Sequence, residues 1–368
     1  MDQNIAKQFF QKENLYLVSP YVSRAVEDKI LRIWKETEYQ DHVFLMSSGT
    51  TSTASIKTYV LSKESIINNC KSVNSFFGID EKQVFLGSLP FYHIGGLSIL
   101  IRAKLAGAKV YPFNSSWNVQ SFINAVDIQG ISCCSLVPTQ LYDIIRLGVK
   151  APRTLKMVFI GGDFLNSELA KQALVLGWPI IVTYGMTENA SQVASGHYKE
   201  LKNEHIPILP GNFIYKKDDK YWLKSQSLFS ECINIFPDYV EFSKQTGDLA
   251  LSDNISLIEE SNLQWLKPLG RSDDFFKIKG RLYNYLELKD IWLNELFQQD
   301  VLDYVEIIAV DDPREGKVLQ ALYLAEVALN IDDILNGINL KLPEPITIRS
   351  SQLVKRFDRT ALGKLKNN

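Results

Sequence analysis

The sequence predicts an α/β protein: a large N-terminal part with a mostly parallel sheet flanked by helices plus a β subdomain, then a small α+β C-terminal domain. Three observations predict it. From about residue 42 to 185, short β-branched runs alternate with longer helical patterns, the signature of a parallel sheet covered on its faces. Between about 190 and 260 the pattern turns mostly strand-like with turn signals. After Gly270-Arg271-Ser272-Asp273-Asp274 it becomes α+β.

The elements follow in order. His42 to Met46 reads as a strand, and Ser62 through Phe77 as a helix that Gly78 stops. Gln83 to Leu86 is the next strand; Gly96 to Ala106 is helical with Gly107 at its end, and Lys109 to Tyr111 is again a strand. Ile131 to Val137, Lys156 to Ile160 and Pro179 to Thr183 are three more strands, with helices near 117 to 128, 138 to 147 and 166 to 176. Lys216 to Lys220 is an Asp-containing turn between two alternating runs, hence a hairpin. A helix near 286 to 298, strands Val305 to Val310 and Leu319 to Val327, and a basic tail complete the chain. No repeat or low-complexity linker occurs, so the division into residues 1–270 (α/β core about 42–190, β subdomain about 191–270) and 271–368 rests on the change of pattern.

The 368 residues imply about two domains at roughly 150 residues each. With 40 Lys and Arg against 42 Asp and Glu, a net charge of −2 gives no electrostatic footprint for nucleic acid or an anionic membrane surface. The start of the chain has no basic region followed by an apolar run, so it does not read as a secretory signal. The best apolar run, Gly95 to Ala108, carries Arg102 and Lys104 and is too short to span a bilayer. Cys70, Cys133, Cys134 and Cys232 have no CxxC spacing, and neighbours in a strand point to opposite faces. They read as buried hydrophobes in a reducing cytoplasm.

Seven segments carry chemistry. Met46 to Lys57, directly after a strand, is rich in small hydroxyl residues with a glycine and a terminal lysine, which suits a loop wrapping phosphate; it reads equally as a polar surface loop, and it is not a Walker A loop. Leu89 to Leu97 sets His93 between aromatics, with Gly95 and Gly96 opening a helix. Taken alone, such a histidine is more often packed than catalytic. In Phe159-Ile160-Gly161-Gly162-Asp163 a strand ends in glycines that let a flat ligand lie against the backbone, where open α/β sheets collect ligands. Thr183 to Asn189 offers an aromatic ring at Tyr184, a hydroxyl at Thr187 and a possible Mg²⁺ ligand at Glu188, or simply a helix start. Thr246-Gly247-Asp248-Leu249 and Gly270 to Asp274 supply a carboxylate and a guanidinium suited to ribose hydroxyls, or two β-turns. The seventh, Arg359 to Lys364, is otherwise a solvated basic tail.

Together, YGMTE, TGDL, GRSDDFFKIKG and RTALGK, in this order and at these distances, resemble the acyl-adenylate-forming superfamily: acyl-CoA synthetases, luciferases and peptide-synthetase adenylation domains. The resemblance runs from about residue 42 to the C-terminus. Within it, PFYHIGGL and YGMTENASQVA are most similar to the o-succinylbenzoate:CoA ligases of menaquinone synthesis. It implies a ligase using ATP, Mg²⁺ and CoA, in which a carboxylate attacks the α-phosphorus to give an acyl-adenylate and pyrophosphate, and the CoA thiol then displaces AMP. Both steps depend on positioning and on neutralising oxygen charge.

Carried over residue by residue, the resemblance places Ser47, Ser48, Gly49, Thr50, Thr51 and Lys57 on the β- and γ-phosphates, Thr187 on the α-phosphate and Glu188 on Mg²⁺. Gly161, Gly162 and Tyr184 would bracket the adenine, with Asp163 and Gly185 beside them; Asp248 and Arg271 would hold the ribose and His93 would border the acyl pocket. Lys364 would bridge carboxylate and α-phosphate in the first half-reaction, Asp273 would be the hinge of a mobile C-terminal domain, and the segment to Lys279 and Gly280 would line the path of CoA. Two departures stand out. The family loop reads SGTTG followed closely by PKG, whereas this chain has Ser52, no proline, and Thr58 after Lys57. Only 46 residues precede the loop, so one sheet face would need other cover, which a homodimer could give. A ligase for another aromatic or medium-chain acid and a degenerate nucleotide- or acyl-binding protein are the competing readings.

Overall fold

The computed structural model describes residues 2–47, 55–113, 115–271, 275–278, 281–312, 315–325 and 330–357. Its centre is a six-stranded sheet in the order Lys109–Pro112, Val84–Gly87, Cys133–Leu136, Met157–Ile160, Ile180–Met186, Ser191–His197. The first five run parallel and the last antiparallel. The period of two divides its side chains between two cores. Leu86, Cys134, Leu136, Val158 and Ile160 face the helices Val119–Gln129, Pro138–Arg146 and Ser167–Val175. Phe85, Cys133, Met157, Phe159 and Ile181 face the opposite way. Cys133 and Cys134 therefore enter different cores, and all four cysteines are buried and free. Burial pushes the Cys70 and Cys133 thiols up to about 12, so both stay neutral.

The strand His42–Met46 belongs to a second sheet, a correction to the single parallel sheet expected across residues 42–185. The second sheet runs Leu15–Leu17, His42–Met46, Ile56–Ser62, Glu231–Ile235, Val240–Lys244. Ile56–Ser62 pairs antiparallel with both of its neighbours, one of them about 175 residues away in sequence. Helices Lys63–Phe77 and Ile94–Ala106 form the layer between the two sheets. Ile66, Cys70, Leu97 and Ile101 pack with the second sheet, while Val73, Ile99 and Ala103 pack with the central one. Packing on both sides explains why Ile94–Ala106 is buried along most of its length, with Lys104 exposed in its last turn. Helix Arg24–Lys35 covers the remaining face of the second sheet through Ile30 and Trp34, so the layers alternate helix, sheet, helix, sheet, helix.

Two three-stranded antiparallel sheets make up the β subdomain: Ile206–Pro207, Leu263–Arg271, Asp253–Glu260, and Asn212–Lys217, Lys220–Ser225, Leu249–Ala250. Asp218 and Asp219 turn the expected hairpin, both with positive φ. The C-terminal segment builds its own core, with residues from Ile278 to Ile348 packed around Trp292. There helix Tyr285–Gln298 lies against strands Phe275–Ile278, Arg281–Asn284, Val305–Asp312 and Gly316–Leu324. The tail also contains helix Ile331–Lys341 and strand Ile348–Val354, the latter parallel to Gly316–Leu324. Among the described residues, no helix is long and apolar enough to cross a membrane.

One buried side chain ties the middle helical layer to the central sheet. Asn69 Nδ2 donates to the carbonyls of Asn189 at 3.0 Å and Gln192 at 2.7 Å, and its Oδ1 accepts from the Gln192 N–H at 3.3 Å. Losing it strands buried backbone groups, each costing about 1–3 kcal/mol. Asn69→Ala is expected to destabilise the chain by about 2–3 kcal/mol, read as a lower urea midpoint; a shift worth under about 0.5 kcal/mol would contradict the assignment.

Candidate active site

The strand Ile180–Met186 delivers Tyr184 and Gly185, and a single 3₁₀ turn, Thr187–Asn189, follows it. The chain then reverses into Ser191–His197 through Ala190 at φ 51° and Ser191 at φ 123°, left-handed values that cost non-glycine residues about 1–3 kcal/mol each. A bulge between Tyr184 and Gly185 accompanies the reversal. A Cβ on Gly185 would lie 2.1 Å from the Ser191 carbonyl oxygen, so the reversal requires glycine there. Glu188 is fixed at both ends. Its carbonyl accepts from the Phe229 N–H at 2.9 Å, and its carboxylate Oε1 accepts from the Tyr59 hydroxyl.

Lys57 approaches the same oxygen at 3.9 Å and stands 5.1 Å over the Tyr59 ring. It lies on the strand Ile56–Ser62, paired with Asn234, rather than on the loop expected from the sequence. The β-branched run that follows it recruits it into the sheet. Ser47 stands at the other side of that loop, its N–H donating to the Lys57 carbonyl at 3.0 Å. Ser48, Gly49, Thr50, Thr51, Asp273, Lys279, Gly280 and Lys364 lie outside the described residues.

A second chain of contacts starts at Tyr184. Its buried hydroxyl donates to Asp253 Oδ2 at 2.8 Å, and the other oxygen of Asp253 lies 3.6 Å from Arg271 Nε. Burial, then the Asp253 carboxylate, pushes the Tyr184 phenol well above its ordinary range, with Glu188 raising and Arg271 lowering it. Burial first, then Glu188, likewise raises the Tyr59 phenol, which Arg271 lowers. Tyr59, Glu188, Tyr184, Asp253 and Arg271 thus share one electrostatic neighbourhood. Both phenols are donors, not bases, at neutral pH.

Other expected residues fall differently. Asp248 is held by the Tyr215 hydroxyl at 2.8 Å, whereas Asp253 pairs with Arg271. Thr183 requires glycine at position 161: a Cβ there would meet Thr183 Oγ1 at 2.1 Å, and that hydroxyl donates to the Ile160 carbonyl. Gly162 follows at φ 90° and is exposed, as is Asp163, whose Oδ1 accepts from the Phe164 N–H. Thr187 contributes its carbonyl to the turn, accepting from the Ala190 N–H at 3.1 Å. His93 precedes helix Ile94–Ala106 and rests against Tyr92, ring centroids 4.6 Å apart. Burial pulls its imidazole down to about 4.

Asp253 and Tyr59 are the two residues that sequence reasoning missed. The hairpin Asp253–Arg271 turns at Ser261-Asn262, and regular pairing about that turn sets Arg271 opposite Ser252. A bulge between Asn254 and Ile255 shifts the register and brings Asp253 opposite instead. Tyr59 sits in an apolar strand run with nothing local to mark its hydroxyl. Among the described residues no three His, Cys, Asp or Glu side chains gather into a metal cage. The single half-exposed carboxylate of Glu188 fits the way Mg²⁺ is usually bound, by one or two carboxylates together with substrate phosphates.

The profile of the AMP-binding enzymes matches residues 25–220, more than half of the chain. The chain belongs to the AMP-binding enzyme family. The family's fold is shared with solved structures at low identity. The o-succinylbenzoate CoA synthetase (MenE) from Bacillus subtilis, in complex with the acyl-adenylate intermediate OSB-AMP, superposes with a TM-score of 0.74 at 18% identity, covering 99% of this chain and 79% of that one. The same enzyme in complex with ATP and a magnesium ion gives 0.72 at 18% identity, covering 99% and 81%. The 2-succinylbenzoate–CoA ligase of Staphylococcus epidermidis is 28% identical over 225 residues, 57% of this chain and 46% of that protein. This AMP-binding chain spans about half the length of the curated relatives it matches.

The depressed His93 carries a linkage. Its folded pKa of about 4 lies below the ordinary 6.5, so between these values the unfolded chain binds the extra proton. The stability it contributes is full above about pH 6.5 and is lost as the pH falls towards 4. His93→Gln should therefore flatten the acid limb of a stability-against-pH curve in that window; an unchanged limb would contradict burial as the cause.

Proposed function

We propose that this chain is an AMP-forming acid:CoA ligase: a carboxylate displaces pyrophosphate from ATP to give an acyl-adenylate, and the CoA thiol displaces AMP to give the thioester. The observation that carries the reading is convergence. Lys57, Glu188 and the Tyr184–Asp253–Arg271 chain meet beyond the carboxyl end of Ile180–Met186, where open α/β sheets bind ligands. The names of the relatives support o-succinylbenzoate as the acid.

In this reading Lys57 leaves Glu188 for the β- and γ-phosphates, alongside Ser47, Ser48, Gly49, Thr50 and Thr51. Thr187 donates to the α-phosphate. Arg271 and Asp248 hold ribose hydroxyls, Gly162, Asp163, Tyr184 and Gly185 border the base, and His93, neutral at physiological pH, borders the acyl group. Glu188 would hold Mg²⁺, which when bound neutralises phosphate oxygen charge. The reaction needs no covalent protein intermediate, so its acceleration comes from positioning and electrostatics. Residues 1–270 and 271–368 act as two units, supported by the separate core around Trp292; Asp273 would be their hinge. The enzyme is cytoplasmic and homodimeric in this proposal, the latter supported by exposed Tyr239 and Phe242 at the edge strand Val240–Lys244. A monomeric mass by light scattering at micromolar concentration would remove the dimer.

Pyrophosphate release measured with a panel of acids, with and without CoA, tests the activity. Release with o-succinylbenzoate is expected; none with any acid would leave a binding protein, and release only with other acids would change the substrate. Lys364→Ala is expected to slow adenylation by about 10²-fold or more while sparing thioester formation from supplied acyl-adenylate. Equal loss in both steps would contradict the role of Lys364.

A further inference from the structure

Tyr59 is the least expected member of the site. It is 1% exposed, two residues beyond Lys57 on a strand whose other buried positions are Thr58, Val60 and Leu61. Phe229 packs edge-on against its ring at 5.2 Å, and the backbone N–H of that same Phe229 holds the Glu188 carbonyl. Across the sheet Tyr59 faces Cys232, whose neutral thiol leaves the Glu188 carboxylate as the charged acceptor for the phenol. A phenylalanine would fill the same space. The added oxygen is costly to bury unless it bonds; it donates to the Glu188 carboxylate and also lies beside the neutral Cys232 thiol.

Among the described residues, both side-chain partners of the carboxylate fall on one atom. Tyr59 donates to Oε1, and Lys57 approaches Oε1. Of the two, Lys57 is exposed and on a long flexible stem, free to swing to a phosphate, whereas Tyr59 is fixed by packing. Resting on the nucleotide reading above, we infer that Tyr59 is a positioning residue: it holds Oε1 of Glu188 so that Oε2 is presented to a divalent cation carried by a nucleoside triphosphate. A carboxylate with one oxygen pinned has its rotamer chosen before the cation arrives, and binding then costs less side-chain entropy.

Tyr59→Phe removes the one oxygen and keeps the ring. Mn²⁺ titrated into the full chain with ATP, with free Mn²⁺ followed by electron paramagnetic resonance, reads metal affinity without turnover. About tenfold weaker Mn²⁺ binding is expected, with AMP binding in the absence of metal unchanged. Equal Mn²⁺ affinity, whether or not the thermal midpoint falls, overturns the positioning role and leaves the nucleotide reading standing. A wild-type chain that binds no Mn²⁺ with ATP overturns that reading itself, and this inference with it. Adding Tyr59→Phe to Glu188→Gln should weaken Mn²⁺ binding no further than Glu188→Gln alone; an additive loss overturns the inference as well.

Discussion

The site depends on a carboxamide buried between two sheets. Ala190 and Ser191 are held at positive φ in a turn that leaves the edge of the central sheet and returns antiparallel to it. Such a turn persists only where its surroundings over-determine it. Asn69 reaches across from helix Lys63–Phe77 and binds the turn on both sides of the strained pair, and Asn189 adds bonds to Asn212 and to the Gln192 carbonyl. The geometry of Glu188 follows from this clamp, because Glu188 is the residue before Asn189. The helix that carries Asn69 is in turn capped by Ser62, the last residue of the strand bearing Lys57 and Tyr59. One helix thus references both halves of the site to each other.

Its charges are arranged so that the unliganded protein is already balanced. Glu188 answers Lys57, and Asp253 answers Arg271; each acid also accepts from a buried phenol. The two acids are partly buried while Lys57 and Arg271 are solvent-exposed, so each pair is partly screened by water. Arg102 shows the limit. It is 2% exposed, and no carboxylate pairs with it among the described contacts; the Phe159 ring, 4.7 Å from its guanidinium carbon, and the Ser98 carbonyl face it instead. Burial lowers its pKa, and it lies between thiols whose ionisation burial suppresses.

Much of the architecture was legible because it is written at periods of two and of about 3.6. Phe85 and Leu86, like Cys133 and Cys134, go to opposite cores, as strand geometry requires, and Gly78 ends its helix at φ 61°. What was not legible depends on distant partners. His42–Met46 pairs with Leu15–Leu17 and Ile56–Ser62 instead of joining the central sheet, and Ile56–Ser62 pairs in turn with Glu231–Ile235, about 175 residues downstream, which makes Lys57 a strand residue and not a loop residue. Helix Ile331–Lys341 and strand Ile348–Val354 were hidden in a segment read only for its charge; their signal is the apolar set Ile334, Leu335, Ile338 and Ile348. At the site, motif residues were visible one by one, but Asp253 entered through a bulge and Tyr59 through a pairing across sheets, neither of which local sequence encodes.

The nature of the contacts between the C-terminal unit and the core bears on the two-step reading. Asp290 caps helix Ser167–Val175 from outside, accepting from the Ser167 N–H at 3.1 Å and its hydroxyl at 2.8 Å, while Asn166 bonds both Asp290 and Asn294. Arg146 reaches Asp300 and Asp303, and Tyr142 stacks edge-on with Phe297. The ion pairs are solvent-exposed, a class worth about 0–1 kcal/mol, and water can replace the capping bonds when they open. By contrast, residues from Ile278 to Ile348 close a core around Trp292 that opening this contact leaves intact. In the two-step reading proposed above, a unit with its own core, joined to its neighbour by polar contacts and by the apolar packing of Phe297 and Leu302, would change its position at lower cost than any layer of the α/β core. That difference in cost is what the proposed use of Lys364 in the first step and its withdrawal in the second would require.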